Sequence, residues 1–145
     1  MFRSLMGSWQ MWALGSAAFA ALTAVFAKVG VAGIHSDMAT LVRTVVILAL
    51  VAAIAGFGGA WQPPGEIARK TWVFLVLSGL ATGASWLCYF RALKAGDAAR
   101  VAPVDKLSVV LVAVFGVIFL GEKLSLTAGL GVALIAAGAV LVAMG

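Results

Sequence analysis

The chain is 145 residues long and 64% of it is apolar, against the roughly 45–50% of an ordinary soluble domain. Ten Lys and Arg and five Asp and Glu are too few to clothe a soluble surface, whereas a protein solvated by lipid needs no such cover; soluble enzymes, nucleic-acid binders and disordered tails are excluded. The net charge of +5 does not signal a polyanion, because the cations stand singly or in pairs at the ends of apolar runs, as membrane-boundary residues do.

Stretches without charge cover residues 4–27, 44–65, 71–90, 107–121 and 124–145. Their apolar character is continuous rather than alternating, and about 20 helical residues cross a hydrocarbon core of roughly 30 Å, so the expected fold is all-α and integral to the membrane. Five transmembrane helices are predicted, in a single domain over residues 1–145.

In the first run, Arg3 precedes Ala18-Phe19-Ala20, which resembles a signal-peptide cleavage site. The run is long enough to span and four similar ones follow, so a retained helix is expected. Ser16, Ala20, Ala24 and Lys28 recur every four residues and lie on one helical face that leads to a cation. Pro63-Pro64-Gly65 stops the second run. The third holds a G-x-x-x-G pair, Gly79 and Gly83, then Trp86 and Tyr89 in its last turns. Cys88, the sole cysteine, is expected to be a small buried hydrophobe; it allows no internal disulfide and no thiolate metal cluster.

The fourth run is short. To span, it must begin near Val101 and carry Pro103, Asp105 and Lys106 in its first turns, a proline and two charges at or just inside the interface. Gly121-Glu122-Lys123 makes a tight hairpin, with Glu122 able to cap the next helix. In the fifth run Gly129, Ala133 and Ala137 repeat the small-residue spacing that suits close packing or dimerisation.

An odd number of spans places the termini on opposite sides. Trp9, Trp12, Trp61 and Trp72 then fall near the N-terminal side, as interfacial tryptophans should. That side carries Arg3, Arg69, Lys70 and Lys123, while the other carries Arg91, Lys94 and Arg100 in its loops and Lys28, Arg43 and Lys106 at helix ends. The balance gives the positive-inside rule no firm orientation. Insertion both ways would let two copies pair as an inverted dimer.

No hydrolytic, redox or nucleotide-binding constellation is present and His35 is the single histidine, so an enzyme is not expected, and neither is a cofactor or a bound metal. Chemistry is left to membrane-embedded charges. Lys28, Arg43, Arg91 and Lys106 can snorkel to the headgroups; Asp105 cannot reach far. It either pairs with a cation such as Lys28 or Arg43 or serves as a gate or coupling group. Trp86 and Tyr89, three residues apart, either line a pocket or belong to the aromatic belt.

The stretch GLATGASWLCYFR from Gly79 to Arg91, then Ala102-Pro103-Val104-Asp105-Lys106, then Phe119-Leu120-Gly121-Glu122-Lys123-Leu124-Ser125 and the Gly-rich last helix resemble the EamA family of the drug/metabolite transporter superfamily. Pro103, Gly121 and Glu122 match the family pattern. The chain looks like a short, five-helix member. Longer relatives have ten helices in two inverted halves and act as secondary exporters or exchangers, so the resemblance implies half of a ten-helix fold. Such a unit completes the architecture by pairing with an upside-down copy or an oppositely oriented paralogue. Small multidrug exporters, a related class, carry a carboxylate deep in the first helix; this first helix has no acid, and that mechanism is not expected.

The expected activity is therefore alternating-access transport of a small polar metabolite across the inner membrane. Candidate substrate or gate residues are Lys28, Arg43, Trp86, Tyr89, Asp105 and Lys106, with Gly79, Gly83, Gly129, Ala133 and Ala137 for helix packing. The excess of embedded cations points to an anionic or zwitterionic substrate. The competing class is a non-transporting helical subunit or assembly partner, whose charges serve only packing and insertion.

Overall fold

The computed structural model describes residues 9–145; Arg3 and the expected helix start at residue 4 lie outside the described residues. Six α-helices follow one another, α1 (Trp9–Val31), α2 (Ser36–Phe57), α3 (Arg69–Ala95), α4 (Ala98–Asp105), α5 (Leu107–Phe119) and α6 (Leu126–Met144), with a 3-10 turn at Pro64–Glu66. No strand occurs among the described residues. Together α4 and α5 form a 22-residue segment, Ala98–Phe119, so five segments are long and apolar enough to cross a bilayer. Large apolar side chains such as Trp12, at 77% exposure, and Phe57, at 95%, cover every segment, a surface that lipid satisfies and water does not. The chain is an all-helical, multi-pass membrane protein.

Helix boundaries follow local chemistry rather than the charge-free stretches. α2 begins at Ser36, eight residues ahead of the apolar run at 44, because His35 caps it: its Nδ1 accepts the Asp37 N–H at 3.3 Å. Asp37 adds an acid to the first turn, where the helix dipole favours it. The same helix ends at Phe57, before the prolines, and Gly59 takes a positive φ of 65°.

The fourth span is broken. Pro103 has no N–H to offer the Ala99 carbonyl, and one turn later the Lys106 N–H is shared between the Ala102 and Pro103 carbonyls, both at 3.2 Å. Val109 then donates to the Lys106 carbonyl at 3.0 Å in a three-residue turn. The helix therefore tightens at the two charged residues, Asp105 and Lys106, and α5 starts anew.

The described residues gather into two compact units, one made of the residues up to Phe26 with Ala95–Gly145, the other of Ala27–Lys94. In the first unit α6 packs against both α4 and α5. Arg100 donates to the Ala143 carbonyl at 3.3 Å, placing a cation on the C-terminal end of α6, where carbonyls lack helical partners. Between α5 and α6 the Gly116 carbonyl accepts from both Leu120 N–H, at 3.1 Å, and Glu122 N–H, at 3.0 Å. Gly121 reverses the chain at φ 68°, a conformation that costs a residue with a Cβ roughly 1–2 kcal/mol. Glu122 does not cap α6. Ser125 does, its hydroxyl accepting the Ala128 N–H at 3.2 Å, while the Glu122 carboxylate folds back onto Gly116. Gly116 is buried, and a Cβ built there would lie 2.6 Å from Glu122 Oε2.

In the second unit Val31, Ala39, Phe90 and Leu93 are buried, with Leu93 at 0% exposure, along with the hydroxyl residues Ser36 and Thr40. The Thr40 hydroxyl donates to the Ser36 carbonyl at 3.0 Å, which removes the cost of burying it.

One expectation about burial needs correction. Cys88 is exposed rather than buried. Gly79 and Gly83 have open space among the described residues where a Cβ would stand, so the G-x-x-x-G pair of α3 keeps room for another helix. On α6 the inward face runs through Gly129, Val132, Ala136 and Ala139, while Ala133 and Ala137 are exposed. On α1, Ser16 and Ala20 are exposed; the inward face runs through Ala24, Ala27, Lys28 and Val31, the spacing of a helical stripe.

Candidate functional site

The second unit brings charge and aromatic rings together where the start of α2 meets the last turns of α3. Asp37 and Arg91 form a forked pair there: Nε donates to Oδ1 at 3.0 Å and Nη2 to Oδ2 at 2.9 Å. Two parallel N–H···O bonds fix geometry as well as charge. Lys28 donates to the Leu93 carbonyl at 2.7 Å, and Lys94 donates to the Ile34 carbonyl. Both lysines thus serve backbone oxygens at a helix end and in the loop after α1, where helical partners have run out. Among them, these bonds fasten the end of α1, its loop, the first turn of α2 and the last turns of α3.

Arg43 lies deeper, about 10 Å along α2 from Ser36 at 1.5 Å per residue. Ser36, Ala39, Thr40, Arg43 and Ile47 share the inward face of α2. Its Cζ stands 4.2 Å from the ring centre of Trp86 and 5.5 Å from that of Phe90. Those rings are four residues apart on α3 and so lie on one face. Phe90 is 3% exposed and takes Tyr89 edge-on, at 6.5 Å between centres.

The ion pairs among the described residues are His35–Asp37, Arg91–Asp37 and Lys106–Asp105; Arg43 belongs to none. An arginine within a span costs about 2.5–3.5 kcal/mol on insertion scales, and a cation–π contact returns about 0.5–2 kcal/mol. The aromatic faces therefore offset only part of the cost of Arg43.

Of the six residues that the sequence singles out for substrate or gate, Lys28, Arg43, Trp86 and Tyr89 lie in this unit, with Arg43 and Trp86 in direct contact. Asp105 and Lys106 lie in the other unit, where Asp105 finds its ion-pair partner in its neighbour, at 3.3 Å. Sequence reasoning passed over Asp37, His35 and Phe90. A signal for the first two exists, since His-Ser-Asp directly before a long apolar run is a helix start. Arg91, read as a snorkelling cation, is the partner of Asp37. No group of three His, Cys, Asp or Glu that would hold a metal ion occurs among the described residues.

The EamA-like transporter family matches residues 7–144. The chain is 74% identical over 137 residues to a protein of Sinorhizobium sp described as an uncharacterized transporter in the cobO 3' region; the match covers 94% of this chain and 97% of that protein. No solved structure matches.

Proposed function

Because the chain belongs to the EamA-like transporter family, we propose that it is a secondary transporter, an exporter or exchanger of a small polar metabolite that works by alternating access as an inverted homodimer in the inner membrane. Family membership over nearly the whole chain carries the reading. An odd number of spans and an even spread of cations support the inverted pairing, because repeats of opposite orientation build the central site of many transporters. Arg43 against Trp86, two turns inside a span, supports a polar cargo.

The test has two parts. Single cysteines near each terminus, in a Cys88→Ala background, are labelled from either side of intact cells; comparable labelling from both sides is expected, and one fixed orientation sinks the homodimer in favour of an oppositely oriented paralogue. Counterflow in proteoliposomes against a metabolite panel reads transport itself. Asp105→Asn is expected to slow flux at least tenfold while leaving the helical content intact. If it lowers only thermal stability, the residue serves packing, as in a non-transporting subunit.

A further inference from the structure

We infer that Arg43, backed by Trp86 and Phe90, is a binding site for a single carboxylate group of a small molecule. The inference rests on the transport reading for its biological sense but not for its test. At this end of the unit four cations, Lys28, Arg43, Arg91 and Lys94, accompany one carboxylate, Asp37. Asp37 is held by both donors of the Arg91 fork. Lys28 and Lys94 donate to the backbone carbonyls of Leu93 and Ile34. Among the described residues, Arg43 alone of the four meets aromatic rings and no carboxylate.

The geometry selects the ligand. The Arg43 Cζ stands over the Trp86 ring, 4.2 Å from its centre, and no carboxylate among the described residues pairs with it. The planar fork of a guanidinium matches the two oxygens of a carboxylate. One guanidinium supplies one positive charge, enough for a carboxylate and short of a phosphate dianion. The rings also exclude water from one side, which strengthens an ionic hydrogen bond on the other. The charge excess at this end draws anions towards it.

Trp86 reports on the site. In the purified full chain with Trp9, Trp12, Trp61 and Trp72 replaced by Phe, its emission is followed during titration with sodium acetate, pyruvate, lactate and benzoate, against sodium chloride and inorganic phosphate at equal ionic strength. A saturable change with at least one carboxylate and none with chloride or phosphate is expected. Arg43→Lys keeps the charge on the aromatic faces but loses the fork, and weakens binding at least tenfold; Arg43→Gln abolishes the response. If Arg43→Gln does not fold, Arg43→Lys decides. An equal response to chloride or phosphate, a response indifferent to both substitutions, or silence towards every carboxylate overturns the site. Binding without counterflow keeps the site and removes the transport reading, whereas carboxylate flux indifferent to Arg43→Gln does the reverse.

Discussion

Asp37 and Arg91 are 54 positions apart in the chain and meet through two hydrogen bonds, the most geometrically specific contact between α2 and α3. Both side chains keep partial exposure, 39% and 60%, so the pair acts by fixing a distance more than by adding net energy. Asp37→Asn and Arg91→Gln should each lower the melting temperature of the purified protein, and the double variant should melt no lower than the worse single one. Additive losses in that double-mutant cycle would mean that the two residues act separately. The sequence signals the cations well, since each stands out against an apolar background. The lone acid escapes notice because Asp at a helix start needs no partner to be explained. Arg91 shows the same limit from the other side, since a snorkelling side chain and a forked ion pair leave identical traces in a one-dimensional pattern.

The helices themselves are legible because continuous apolar runs leave no other solution in lipid. Their ends are not, because segmentation by charge cuts α2 at residue 44 and so places Arg43 at a boundary, whereas the His35 cap carries the helix back to Ser36. A capping side chain is a contact of two residues, invisible to a hydropathy window. The break between α4 and α5 is the opposite case, announced by Pro103, although proline alone does not tell that the helix tightens at Lys106. Pro103→Ala returns an N–H to the Ala99 carbonyl and should join α4 and α5 into one regular helix. Amide hydrogen exchange over residues 104–109 is expected to slow, and flux with it if the break serves the transport cycle. Unchanged exchange would assign the break to the Asp105–Lys106 pair rather than to the proline.

At the scale of the whole molecule the composition decides most, and the orientation least. On the topology expected from the sequence, four cations face six once the helix-end residues are counted, so a small change should tip the balance. Two lysines added to the loop at residues 60–63 raise the first count to six, and two more should favour one orientation outright. Terminal cysteines in that variant should label from one side only, and counterflow should fall unless a partner of opposite orientation is supplied. The apolar surface of the spans and the open space beside Gly79 and Gly83 belong to this scale too, since among the described residues no side chain fills that space and lipid or another helix can.

The Glu122 side chain occupies the space that a residue larger than glycine would need at Gly116. The two positions are therefore coupled through the place of one carboxylate, the far end of a flexible side chain that can swing aside. A lineage that acquires alanine at 116 is expected to turn the carboxylate at 122 aside or to shorten that residue in compensation. Engineered exchange follows the same rule: Gly116→Ala alone displaces the carboxylate, and pairing it with Glu122→Ala should recover much of the melting temperature lost.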